Sequence, residues 1–154
     1  MHIVLYQPEI PQNTGNIART CGATGVSLHL IRPLGFNIDD KYVKRAGLDY
    51  WHLLDLNIYD TWNNFIAQKG HLALYFIETK GEQYYQDVQY PEDSYFIFGS
   101  ETKGIPESIL KQYRDRVIKI PMKSDIRSLN LSNAVAIVVY EALRQHEFKI
   151  LRSL

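Results

Sequence analysis

The chain of 154 residues has one cysteine, no net charge and no apolar run that could span a bilayer. Cys21 has no partner for an internal disulfide, and no charged-then-apolar leader opens the sequence, so a reducing cytoplasmic setting is expected. The longest apolar stretch, Ala134 to Tyr140, falls far short of the ~20 residues a membrane helix needs, so no membrane partner is expected. The 17 basic side chains equal the 17 acidic ones, and no bulk field announces nucleic acid. Any binding of that kind must rest on a local patch.

Several chemistries lack their motifs. There is no G-x-G-x-x-G after the first strand pattern. Gly99 to Gly104 has phosphate-loop spacing but runs on into Ile105 and Pro106, where Lys and Ser or Thr are needed. No G-x-S-x-G elbow is present, and His2, His29, His52, His71 and His146 show no ligand spacing, so no metal is expected. Cys21, inside a helical pattern, reads as a small core residue.

With 45% hydrophobic residues, a chain of this length suits one compact domain over residues 1–154. His2 to Tyr6, Ser27 to Ile31, Leu72 to Ile77, Tyr95 to Phe98 and Val117 to Ile120 are short, apolar and rich in β-branched or aromatic residues, as buried strands are. Helical spacing covers Thr14 to Thr24, Asp39 to Ala46, Asp60 to Gln68, Pro106 to Tyr113 and about Ser132 to Gln145. Gly25 can close the first of these, and Asp60 can cap the third. The alternation predicts an α/β fold with a mostly parallel sheet flanked by helices, whose ligands sit beyond the carboxyl ends of the strands. Thr79 to Ser94, polar and tyrosine-rich, is left as an irregular excursion.

Three polar loops then stand out. In QNTGNIAR, Gln12 to Arg19, Asn13 or Thr14 can cap the helix, and Asn16 and Arg19 share one helical side; a capped helix with a surface arginine explains the spacing equally well. In FGSETKGIP, Phe98 to Pro106, two glycines enclose Ser, Glu, Thr and Lys after a buried strand; this is either a ligand-facing loop or a simple turn. The third, IPMKSDIRSLNLSN, Ile120 to Asn133, crowds Ser128, Asn130, Ser132 and Asn133 at the mouth of a very apolar helix. A parallel sheet brings all three to one rim, which is more specific than any loop alone.

These three stretches resemble the motifs of the SPOUT-class RNA 2'-O-ribose methyltransferases. With the opening IVLYQPEIPQNTGN and the intervening GFNIDDK and RAGLDY, the chain is similar in particular to the bacterial tRNA (cytidine/uridine-34) 2'-O-methyltransferases, over nearly its whole length and in order. Ser100 stands where many relatives have proline, and Lys103 where arginine is common.

The resemblance implies S-adenosyl-L-methionine as methyl donor and the wobble ribose of tRNA, in leucine isoacceptors, as target. It also implies a homodimer and a C-terminal deep trefoil knot, where periodicity alone predicts an open sheet. It places Ile77, Gly99, Ile120, Met122, Ser128, Leu129 and Asn133 at the donor, and Arg19, Asn16, Glu101 and Asn130 at the chemistry. A guanidinium holds its proton too tightly to be a simple base, so Arg19 is expected to orient the hydroxyl and stabilise charge, with Glu101 pairing with it or aligning the donor. Ser132 reads as a helix cap. Lys41, Lys44 and Arg45, on one predicted helix face, together with Lys103 and Arg127, are candidate RNA contacts, although a solvated face is the better explanation of the first three. The apolar last helix, with Tyr140 near its centre, suits either a partner surface or burial within the subunit. Methylation at another tRNA or rRNA position, or a non-catalytic RNA- or cofactor-binding module, are the competing functions; the presence of Arg19 and the motif asparagines speaks against the module.

Overall fold

The computed structural model describes residues 1–38 and 54–152. The expected helix Asp39 to Ala46, with Lys41, Lys44 and Arg45, lies outside them.

The elements run β1 (His2–Tyr6), α1 (Pro11–Thr24), β2 (Ser27–Ile31), β3 (Leu56–Tyr59), α2 (Trp62–Lys69), β4 (Ala73–Ile77), β5 (Gln83–Tyr84), β6 (Ser94–Phe98), α3 (Glu107–Leu110), β7 (Val117–Lys119), α4 (Leu131–Gln145) and α5 (Lys149–Arg152). Among the described residues seven strands form one sheet in the order β3-β2-β1-β6-β4-β7-β5, and every pairing is parallel. The α/β expectation therefore holds. The strands that were read as apolar runs are present. Two more, the four-residue β3 and the two-residue β5, were not anticipated.

Alternation along β1 divides the core. Ile3 and Leu5 face α1 and α4, packing with Ile17, Ala18, Cys21, Val135, Val138 and Val139. Val4 faces the other layer, with Phe65 of α2 and Ile109 of α3. β6, buried at all five positions, supplies Phe96 and Phe98 to the first layer and Tyr95 and Ile97 to the second. Burying side chains of this size contributes about 1.5–3 kcal/mol each. Cys21 is 1% exposed, as expected of a core residue, and burial pushes its thiol up to about 12.

Local chemistry sets the helix ends, in several places differently from expectation. Gly25 closes α1 in the left-handed conformation at φ 67, donating its N–H to the Cys21 carbonyl. The start of α1 has no side-chain cap. Pro11 opens it after Ile10, because a first-turn position has no use for the N–H that proline lacks. Asn13 and Thr14 are therefore interior and buried, and the Thr14 hydroxyl has no hydrogen-bond partner among the described residues. Thr61, not Asp60, caps α2, accepting from the Asn64 N–H. Pro106 sits one position ahead of α3, whose single turn tightens into a 3-10 segment over Lys111–Arg116. Asn130, not Ser132, caps α4 by accepting from the N–H groups of Ser132 and Asn133. α4 is amphipathic instead of wholly buried: Val135, Val138, Val139, Ala142 and Leu143 turn inward, while Tyr140 is 49% exposed.

Candidate active site

Because β4, β6 and β7 are parallel neighbours, their following loops leave the sheet at one edge. They enclose a cavity of about 480 Å³, a size that suits a small organic ligand. Its walls are Ile77 to Thr79 after β4, Phe98 to Gly104 after β6, Ile120 and Met122 after β7, Arg127 to Leu131 and Ala134 at the mouth of α4, and Ile10 and Asn13 at the start of α1. Ile77, Gly99, Glu101, Ile120, Met122, Ser128, Leu129 and Asn130, all expected at the site, therefore share one cavity. Asn16, Arg19 and Asn133 are not in its lining; all three are exposed. The first loop reaches the cavity through Asn13, a residue that spacing suggested only as a helix cap.

Asn13 links the three loops. Its amide Nδ2 donates to Glu101 Oε1 at 3.0 Å, and its Oδ1 accepts from Asn130 Nδ2 at 3.0 Å. Glu101 also accepts from the backbone N–H groups of Glu9 at 2.7 Å and Ile10 at 3.2 Å. The carboxylate thus takes up two N–H groups at the start of α1 that have no helical partner. Glu9 returns the contact by accepting from the Thr102 N–H and hydroxyl at 3.0 and 2.7 Å. At the far end of the relay Asn130 Oδ1 accepts from the Ser132 N–H at 2.9 Å and its hydroxyl at 2.7 Å. The polar crowd at the helix mouth therefore has a local function: it caps α4 and ties that cap to α1 and to the loop after β6. Among the described residues Glu101 is engaged by the backbone amides of Glu9 and Ile10 and by Asn13.

A second carboxylate, absent from the sequence-based set, holds the opposite wall. Glu78 Oε1 accepts from the Ile105 N–H at 2.7 Å. Burial raises its pKa, offset in part by hydrogen bonds from the Ile105 and Thr79 backbone. Gly104 lies against it at φ 67, where a Cβ would come within 2.8 Å of Glu78 Oε1. Gly99 is constrained by the same turn: a Cβ there would lie 2.1 Å from the Gly104 carbonyl carbon, inside the backbone itself. The two glycines let the loop fold over the end of β6, as the short Ser100–Gly104 bridge records.

The walls combine apolar Ile77, Phe98, Ile120, Met122 and Leu129 with the carboxylate of Glu78 and hydroxyls of Thr79 and Ser128. This mixture fits a nucleoside-bearing ligand with apolar faces and polar edges. Among the described residues no group of three or more His, Cys, Asp or Glu is placed to hold a metal ion.

The model of the SpoU rRNA Methylase family matches residues 1–140. The chain belongs to that family. A relative from Geobacillus stearothermophilus, provisionally named a tRNA (cytidine(34)-2'-O)-methyltransferase, is 52% identical over 151 residues, covering 96% of each chain. A tRNA (cytidine(34)-2'-O)-methyltransferase from Saccharophagus degradans is 48% identical over 148 residues, again covering 96% of each. A solved structure described for 2-OH methylation of C/U34 on tRNA superposes with a TM-score of 0.90 at 46% identity over 95% of both chains. The SpoU methyltransferase AviRb from Streptomyces viridochromogenes, solved in complex with AdoMet, shares the fold at a TM-score of 0.81 and 22% identity, over 96% of this chain and 58% of AviRb.

Proposed function

We propose that this SpoU-family chain transfers a methyl group from S-adenosylmethionine to the ribose 2'-hydroxyl of nucleotide 34, a cytidine or uridine, of tRNA. The observation that carries the reading is one cavity at the strand ends shared by all three loops, which meet through Glu101, Asn13 and Asn130. Near-full-length relatives at about half identity, named for this reaction, support it.

When bound, the donor supplies an electrophilic methyl group; the protein has to position the hydroxyl, assist its deprotonation and exclude water. Ile77, Gly99, Ile120, Met122, Ser128 and Leu129 form the donor cavity, and its apolar side chains keep water from the reacting face. Asn133 contributes at the cavity's edge through its backbone N–H, which holds the Asn130 cap. Glu101 and Asn130 fix the walls. Arg19 and Asn16 act on the RNA, orienting the ribose and the adjacent phosphate. Because neither lines the cavity of its own subunit, they reach the reacting hydroxyl only where RNA, or the cavity of a second copy, meets that face of α1.

The assembly that follows is a homodimer using the exposed side of α4, where Tyr140 lies beside Phe148 with ring centroids 6.5 Å apart. We further infer one catalytic unit over the whole chain, a cytoplasmic setting, leucine-accepting tRNA as substrate, and threading of the C-terminal segment into a trefoil knot. The knot draws support from the segment after β7: residues 127–131 line the same cavity as the loops that follow β4 and β6, and α4 then packs beside α1 in the first core layer.

Incubating the purified protein with labelled methyl donor and total tRNA, then mapping the labelled nucleoside, tests the reaction. The expected product is a 2'-O-methylated nucleotide at position 34. Absence of label in any RNA would leave a binding module in place of an enzyme.

A further inference from the structure

Beside the active cavity lies a second hollow of about 290 Å³, which shares Thr79, Ile120, Met122 and Arg127 with it. Tyr84 of β5, Lys119 of β7 and Lys123 complete its charged and aromatic lining, and none of its lining residues is a carboxylate. Among the described residues Lys119, Lys123 and Arg127 form no ion pair, whereas Arg144 is paired with Glu141 and Arg32 with Asp60. Lys119 Nζ instead sits 5.0 Å from the centroid of the Tyr84 ring, and that ring is 42% exposed. In a chain of zero net charge this is a concentrated positive, aromatic groove, continuous with the site through Arg127.

We propose that this groove binds single-stranded RNA next to the modified nucleotide, with Lys119, Lys123 and Arg127 holding phosphates and Tyr84 stacking a base. Ammonium and guanidinium groups along a groove track a phosphodiester backbone, and an exposed aromatic ring receives a base without regard to its identity. Nucleotide 34 belongs to an anticodon loop, whose unpaired flanking nucleotides offer both phosphates and free base faces. The inference rests on the proposed RNA methylation and adds the place where the flanking strand lies. A partner protein with an acidic surface is the competing occupant; it would give no role to the aromatic face.

The test compares tRNA binding by fluorescence anisotropy for wild type, Tyr84→Ala, Lys123→Ala and Lys123→Glu, with Lys69→Ala near the opposite end of the strands as a charge control. Calorimetry with S-adenosylmethionine on each variant verifies that the fold and donor cavity persist. Tyr84→Ala is expected to weaken tRNA binding about five- to a hundredfold. Lys123→Ala should reduce the slope of log affinity against log salt by about 0.7, the share of one single-strand phosphate contact. Lys123→Glu should weaken binding at least as much as Lys123→Ala, while Lys69→Ala leaves affinity and slope unchanged. Wild-type tRNA affinity and salt slope in both Tyr84→Ala and Lys123→Glu overturn the groove, even where methylation proceeds. If the wild type binds RNA through these residues but transfers no methyl group, the groove stands and the proposed reaction falls. A wild type that binds no RNA removes both.

Discussion

Asn13 shows how little room a single side chain has in this site. It is 6% exposed and serves Glu101 as donor and Asn130 as acceptor at once. Asn13→Ala strips both partners of a hydrogen bond in a half-enclosed place, a change that costs roughly 1–3 kcal/mol per unsatisfied group. Urea denaturation should therefore show a loss in that range, and donor affinity should fall with it, because the loop after β6 and the mouth of α4 lose their common anchor. An unchanged midpoint would mean that the relay adds nothing to the fold. Arg19 should behave differently. Exposed and outside the cavity lining, it has no part in the donor walls. Arg19→Ala is expected to keep donor affinity near wild type and to lose on the order of 10²- to 10³-fold in single-turnover methylation, the scale of one preorganised electrostatic contact. Arg19→Lys keeps the charge without the planar fork and should rescue only part of that loss. Methylation by Arg19→Ala at the wild-type rate would reduce the first loop to its role in presenting Asn13.

At the scale of elements, the turn over the end of β6 carries the sharpest constraint. A valine at position 99 would drive its Cβ into the Gly104 backbone, 2.1 Å away in the present geometry, so the loop must open. Opening moves Ser100 to Gly104 away from Glu78, which now accepts from the Ile105 N–H. Gly99→Val is expected to lower donor affinity at least tenfold and to cost about 1–3 kcal/mol of stability, the usual range for overpacking. Calorimetry on a folded variant decides it, and unchanged affinity would detach this loop from the donor. The elements also show where sequence reasoning reached and where it stopped. β1, β2, β4, β6 and β7 were legible because burial on both faces makes them continuous apolar runs. LNIY is only four residues long and carries an asparagine, and QY is a two-residue edge strand inside a polar stretch, so neither announces itself. Loop convergence was legible because parallel strands dictate it. The Asn13 relay was not: its partners lie 88 and 117 residues away, and local spacing reports nothing about contacts at that range. Glu78 escaped for the same reason, its amide partner lying 27 residues on.

At the scale of the whole molecule, the end of the sheet opposite the site holds a different polar arrangement. His2 Nε2 lies 2.6 Å from Asp93 Oδ1, its Nδ1 lies 3.0 Å from His29 Nε2, and His29 Nδ1 lies 3.3 Å from the Tyr59 hydroxyl. Burial, reinforced by the neighbouring His2, holds His29 down to about 4, while the hydrogen bonds from His2 and Ser27 lower Asp93 and Asp55. A histidine whose folded pKa lies below its unfolded value of about 6.5 takes up a proton more readily in the unfolded chain. Its contribution is therefore complete above about pH 6.5 and is lost as pH falls toward 4, where the two depressed aspartates begin to add a loss of the same sign. Stability is expected to drop by on the order of 2–3 kcal/mol between those pH values, and replacing His29 by Phe should flatten that slope. Equal slopes for wild type and His29→Phe would assign the pH dependence elsewhere.

The cavity's walls come from residues 10 and 13, 77–79, 98–104, 120 and 122, and 127–131 with 134, so its parts are spread along most of the chain. A nascent or truncated polypeptide ending before α4 has no enclosure to offer a ligand, however well its early strands have paired. Donor binding is in that sense a certificate of completed folding. A ligand that recognises only the finished chain stabilises it by about 2.7 kcal/mol at a hundredfold excess over its dissociation constant. The cellular pool of methyl donor thus acts on newly made copies as a ligand that selects the completed molecule over its unfinished forms.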